Sequence, residues 1–419
     1  MRKGSKKIGF GLVAVALSIV LLLTAAMPIC EAGRDEKVVK IGFHCGFTGI
    51  VASTLVHAHY GSSDYVRYVN EQGGINGVKI DWLWEDVGIH ITKSVMAHKR
   101  FKAAGVVFEW YGVSSCLEAL TPTLGRDEVP ALYSANFSPG MVTHPIRWVF
   151  GSINSCDAET ATFMKWIKDN WTQQRPPRIG IMAYDLASGW DAVRAGPDWA
   201  SKLGIEWVGH EVVPLTVIDT STEWVRLMAK NPDWVWVAAT AAPLVPLAKD
   251  SKRLGAQEKG IKICTYAAGL DEIILKPIGD GAEGWYAMRP HPSYTETDLP
   301  GVRFSFELAK KYRGFEPKEV ASHYRAGMIE VAVMLEAIRL AMEKVGLENL
   351  NGRAVRDAMV SIKDFETGMT PLITVTEERP YLFSAERVYQ VRQGELWPVT
   401  DWIPSVFHPL EEPKGIWAK

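Results

Sequence analysis

Two serines that open a helix directly after an apolar strand are the residues of this 419-residue chain best placed for chemistry. The stretch Trp110-Tyr111-Gly112-Val113-Ser114-Ser115 follows the apolar run Gly105–Phe108, which reads as a strand, and runs into the amphipathic segment Ser115–Gly125. The hydroxyls of Ser114 and Ser115, together with the unpaired N–H groups of a first helical turn, make a natural anion site. The plainer role for such a serine is an N-cap. A second polar loop, Ser134-Ala135-Asn136-Phe137-Ser138, follows the apolar run Ala131–Ser134 and carries a glycosylation sequon at Asn136-Phe137-Ser138.

Residue types that would indicate turnover are missing from the sequence. It has no GxSxG, HExxH or P-loop pattern. His57 and His59 are two apart on an expected helix and so face different ways, unlike a metal-binding i,i+4 pair. His44 closes an expected strand, where packing and function are both open readings. Cys45, Cys116, Cys156 and Cys264 are scattered without CxxC spacing, so no zinc site and no cofactor are expected. The sequence does not say whether any two of them pair.

These loops need a frame, and the sequence supplies one. Apolar runs at Val38–His44, Val78–Glu85, Gly105–Phe108, Ala131–Ser134, Arg178–Met182, Ile205–Val213, Trp234–Ala239 and Lys262–Tyr266 read as strands. Helical patterns separate them at Ala52–Glu71, Thr92–Ala104, Ser115–Gly125, Asp157–Asn170, Gly189–Leu203, Ser221–Lys230 and Leu244–Leu254, with further helices at Val302–Arg313, Val320–Val345 and Gly352–Ile362. Alternation with short connections predicts an α/β protein with parallel sheets covered by helices on both faces. A chain of this length forms two domains, and no low-complexity linker marks a boundary, so it is expected to cross between them several times.

The N-terminus reads as an export signal. Arg2, Lys3, Lys6 and Lys7 precede the apolar run Ile8–Met27, and small residues favour cleavage after Ala32. An uncleaved anchor is the alternative, and Ile29 before Cys30 argues against lipidation. Without residues 1–32, the 46 basic side chains lose four and the 48 acidic ones lose Glu31, leaving a formal charge of −5. That balance, with no basic tract after the signal, gives no sign of nucleic-acid binding.

Tyr65–Ile80, YVRYVNEQGGINGVKI, carries the strongest resemblance. An amphipathic helix stops at Gly73-Gly74 and turns through Asn76-Gly77 into an apolar run. Its pattern N-x-x-GGI-x-G-x-x-I, preceded by Phe47-Thr48-Gly49, resembles the branched-chain amino-acid-binding protein family, the solute receptors of ABC importers. The resemblance extends in order from about Lys37 to Trp402. It implies a type I periplasmic-binding fold of two doubly wound parallel-sheet lobes with a ligand cleft between them. Lobe one would hold residues 33–152 and 287–365, and lobe two 153–286 and 366–419. The implied protein is a monomeric, non-enzymatic receptor for a small molecule, partnered with an inner-membrane ABC permease. A ligand sensor serving a signalling receptor is the alternative, although the end at Ile416–Lys419, with no exit helix before it, speaks against a fused receptor.

The resemblance also assigns the pocket. Ser114 and Ser115 would grip a ligand carboxylate, with Trp110 and Tyr111 intruding where the family usually has Gly-Pro. Asn136, Phe137 and Ser138 would form the loop that also holds the carboxylate. Across the cleft, Tyr184, Ser188 and Trp190 would lie on the matching lobe-two loop, Ser188 standing where an aromatic is usual, and Thr240 would line the pocket. Ala268 occupies the place of the acid that pairs with an amino-acid ammonium. Asp271 and Glu272 are the nearest substitutes, though their position at a helix start suits solvated carboxylates. Asp185 and Glu109 are further candidates. The implied ligand therefore lacks an α-amino group.

Overall fold

The structure, a computed structural model, describes residues 37–49, 51–135, 148–240 and 242–406. The expected signal segment, and Asn136, Phe137 and Ser138, lie outside the described residues.

β1 (Val38–Cys45), β2 (Lys79–Asp86), β3 (Val106–Tyr111), β4 (Ala131–Tyr133) and β5 (Val149–Gly151) form a parallel sheet in the order β2-β1-β3-β4-β5. A second sheet repeats that winding. β6 (Arg178–Tyr184), β7 (Glu206–Val213), β8 (Trp234–Ala238), β9 (Lys262–Thr265) and β10 (Tyr286–Arg289) run parallel in the order β7-β6-β8-β9-β10. The antiparallel strands β11 (Ala385–Arg392), β12 (Glu395–Pro398) and β13 (Ile403–Pro404) complete the second sheet. Central strands buried on both faces explain why β8 and the first half of β3 read as unbroken apolar runs rather than alternating ones. In each sheet the strand order reverses beside the first strand, and in such folds ligands sit beyond the strand C-termini at that reversal.

Helices α1 (Ala52–Glu71), α2 (Ile91–Ala104) and α3 (Ser114–Asp127) connect the first sheet. α4 (Cys156–Asp169), α5 (Ala187–Leu203), α6 (Ser221–Met228), α7 (Leu244–Arg253) and α8 (Glu272–Ile278) connect the second. α9 (Pro300–Arg313), α10 (Ser322–Val345) and α11 (Gly352–Met359) then return to the first lobe. The return is made tight by glycine. A side chain on Gly61 of α1 would begin 1.9 Å from the Tyr324 carbonyl oxygen, and one on Gly327 of α10 would begin 2.0 Å from that of Ala58. With neither present the helices nearly touch, and the Ser62 hydroxyl donates to the Gly327 carbonyl at 2.9 Å.

Two expectations need correction. β10 pairs with β9 and β11, so the chain leaves the second sheet after Arg289 rather than at residue 287. Ile373, Val375, Leu382 and Phe383 are buried in the first lobe's core, and the Leu382 N–H donates to the Gly151 carbonyl, so the last crossing falls just before β11 rather than at 366. Apolar spacing in a strandless segment does not say which core it fills. The four described cysteines are free thiols and buried, and no described helix is long and apolar enough to cross a membrane.

Candidate functional site

The C-terminal ends of β1, β3, β4, β6, β8 and β9 face a cavity of about 110 Å³ between the lobes. A water molecule needs on the order of 10–15 Å³ by this measure, so the space suits a ligand of roughly ten non-hydrogen atoms. The first lobe supplies Ser114 and Ser115 to its wall, and the second supplies Tyr184, Ser188, Thr240 and Ala268.

The serines are not caps. Val113 is the N-cap of α3, extended and without a capping side chain, and Ser114 and Ser115 are the first helical residues. The opening turn of α3 therefore lines the cavity with no side-chain cap from its N-cap residue, carrying the partial positive charge of a helix start. α5 presents the same feature from the opposite lobe. Its N-cap is Leu186, again with no side-chain cap, and Ser188 lies in its first turn. Two uncapped helix starts meeting at one small cavity favour a negatively charged ligand group.

The second-lobe wall is braced internally. The Tyr266 hydroxyl donates to that of Tyr184 at 3.0 Å, and Tyr184 bonds the Ser188 hydroxyl at 2.7 Å. Thr240 donates to the Ala268 carbonyl. The β6–α5 turn is close enough that a Cβ on Gly189 would stand 2.2 Å from the Tyr184 carbonyl oxygen. On the first lobe, buried Glu330 of α10 accepts from Trp110 Nε1 at 2.7 Å and from Ser134 Oγ at 2.8 Å. It thereby ties the ends of β3 and β4 to the returning helix. Burial pushes its carboxyl upward, against the hydrogen bonds it accepts.

Trp110 and Tyr111 do not intrude on the cavity. β3 continues through both, and both are fully buried. Trp110 stacks on Phe43, and Tyr111 stacks on His44 while donating to Glu109 at 2.6 Å. Strand periodicity turns alternate side chains into the two helix layers, which a loop reading of these aromatics misses. Trp190 also stays out of the cavity wall, its indole donating to Asp185 at 2.8 Å on the half-exposed outer face of α5.

None of the alternative acids is found on the described wall. Glu109 is fully buried and accepts from His44 at 2.9 Å, His98 at 2.8 Å and Tyr111. Burial alone would raise its carboxyl, but the bonds from His44 and His98 hold it at about 2. Asp271 and Glu272 are buried rather than solvated. Glu272 pairs with Arg325 at 2.9 Å and accepts the Ser322 N–H, while Asp271 caps α8 through the amides of Ile273 and Ile274. Helix starts usually face water, but this one is covered by α10.

Several wall residues escaped the sequence reading. Thr54 and Leu55 of α1, and Leu215 after β7, follow strand ends whose neighbours were read as site loops, so position alone could have found them. His323, at the start of α10, had no such signal, because it reaches the cavity from a different part of the chain.

A two-lobed α/β protein whose ligand-sized cavity sits between the two strand-reversal points has the architecture of a type I periplasmic solute-binding protein. Residues 38–395 match the model of the family described as periplasmic binding protein, and the chain belongs to that family. Among solved structures it is similar to a branched-chain amino acid ABC transporter protein from Thermus thermophilus with bound valine, at 18% identity and TM-score 0.79, covering 88% of this chain and 97% of that one. A fatty acid ABC transporter substrate-binding protein from Thermomonospora curvata is 17% identical, with TM-score 0.76 and coverage of 89% and 94%. A leucine-binding protein from Thermotoga maritima is 17% identical, with TM-score 0.73 and coverage of 87% and 99%. Comparison with curated proteins finds no significant match.

Proposed function

We propose that this protein is an extracytoplasmic receptor that captures a small carboxylate without an α-ammonium group and delivers it to an ABC permease, without turning it over. The observation that carries this reading is the pair of uncapped helix starts, α3 and α5, at a cavity whose described wall holds no carboxylate. An anion there meets amides and hydroxyls. An ammonium would find Ala268 where the related receptors are expected to hold an acid, and an unpaired buried charge costs several kcal/mol in effect. Family membership supports solute binding and the extracytoplasmic setting, and the ABC transporter proteins of the same fold support the delivery step. Lobes joined by several crossings are suited to hinge closure on the ligand.

Mass spectrometry of small molecules released from natively purified protein tests the proposal. The expected finding is a carboxylate of about ten non-hydrogen atoms, with solution scattering showing compaction when it is added back. Release of an unmodified amino acid, or formation of a product during incubation, would overturn the reading.

A further inference from the structure

His323 is the one imidazole on the described cavity wall, and its geometry is set from behind. Asp271 Oδ2 lies 2.6 Å from His323 Nδ1, while Asp271 Oδ1 is committed to the amides of Ile273 and Ile274 at 2.9 and 2.8 Å. The carboxylate is fully buried. Burial pushes it up, but His323 and the Ile274 amide outweigh that and hold it below its usual range. A buried anion at Nδ1 keeps the ring proton there, so the neutral ring turns a lone pair outward at Nε2. The hydrogen bond of His323 among the described residues is the one through Nδ1, which leaves Nε2 for the cavity.

Another wall atom is unpaired. Thr54 Oγ1 is buried in the wall of the same cavity and has no partner among the described residues. Buried polar atoms are rarely left unsatisfied, so Thr54 Oγ1 indicates a polar atom on the occupant.

We infer that the Asp271–His323 pair is the specificity element of the cleft, with Nε2 accepting a hydrogen bond from a hydroxyl on the bound carboxylate. The inference rests on the carboxylate reading above and adds a hydroxyl to the ligand. The groups facing His323 are compatible with a neutral ring. His57 of α1 and His291 of the β10–α9 crossing are both pushed by burial towards the neutral form, and Glu330 lies about two turns further along α10.

Calorimetry with two matched pairs tests this: 2-hydroxy-4-methylpentanoate against 4-methylpentanoate, and 4-hydroxyphenylacetate against phenylacetate. In at least one pair the hydroxylated member should bind wild type about tenfold more tightly, the worth of one hydrogen bond to a buried acceptor. The advantage should vanish in His323→Phe and shrink in Asp271→Asn. Nitrogen NMR of the ligand-free protein should show the Nδ1–H tautomer for His323, lost in Asp271→Asn. Equal affinity within both pairs, with binding intact, overturns this inference and leaves the carboxylate reading standing. An advantage that survives unchanged in His323→Phe also overturns it. Failure of all four probes to bind counts against both.

Discussion

Asn70 holds both backbone groups of Ile80. Its Oδ1 accepts the Ile80 N–H and its Nδ2 donates to the Ile80 carbonyl, each at 2.8 Å. The side chain thus acts as a one-residue neighbour to the edge of β2, tying the end of α1 to the strand that follows it. Gly74, with φ of 81°, makes the turn between them, and a Cβ there would stand 2.1 Å from the Val78 carbonyl oxygen. The Asn and glycine spacing in YVRYVNEQGGINGVKI is the sequence trace of this clamp. Asn70→Ala should destabilise the protein by about 1–3 kcal/mol through the two lost hydrogen bonds. Urea denaturation reads the change, and a shift under half a kcal/mol would show that water replaces the clamp.

Removing both hydroxyls at the start of α3, in Ser114→Ala with Ser115→Ala, should weaken binding of the released ligand while leaving the fold intact. A hydrogen bond to a charged group contributes about 1.5–3 kcal/mol, whereas the helix amides remain in place. Calorimetry against wild type measures the loss, with circular dichroism as the control for folding. Unchanged affinity would place the carboxylate elsewhere in the cleft.

Ala268→Glu should move preference towards amino acids. The new carboxylate would stand on a wall with no other acid among its described residues. Thermal-shift screening of leucine, isoleucine and valine against aliphatic and aromatic carboxylates is the measurement. Wild type should respond to carboxylates and the variant to amino acids. Micromolar leucine binding by wild type would mean that another group takes the ammonium.

Glu386 gives a pH signature of stability. It is buried in β11, its Oε2 has no partner among the described residues, and burial pushes its carboxyl up to about 8. The unfolded carboxyl ionises near the ordinary value of about 4.3, while the folded one keeps its proton until about 8. Stability attributable to this group therefore falls as pH rises between those values and levels off above them. Glu386→Gln, which mimics the protonated acid, should be more stable than wild type at pH 8 and nearly equal at pH 4. Denaturation across that range tests it, and parallel stability curves for the two proteins would mean that the folded carboxyl is already ionised.

The sequence by itself determined what depends on neighbours along the chain. Strand–helix alternation placed β1 to β4 and β6 to β9 within a few residues, because periodicity and glycine turns are local. The loops carrying Ser114, Ser115, Tyr184, Ser188, Thr240 and Ala268 could be named because the family resemblance points to positions that follow strand ends, and all six reach the cavity wall. Tertiary structure decided what depends on distant segments meeting. Trp110 and Tyr111 became core once β3 ran past Phe108, with α10 bringing Glu330 beneath Trp110 and Glu109 receiving the Tyr111 hydroxyl. Asp271 lost its water because α10 covers the start of α8, and the same contact turned it into the support for His323. Those residues are 52 positions apart. No local pattern marks such a pair, since a buried carboxylate and a surface cap have the same sequence until the fold chooses which side faces water.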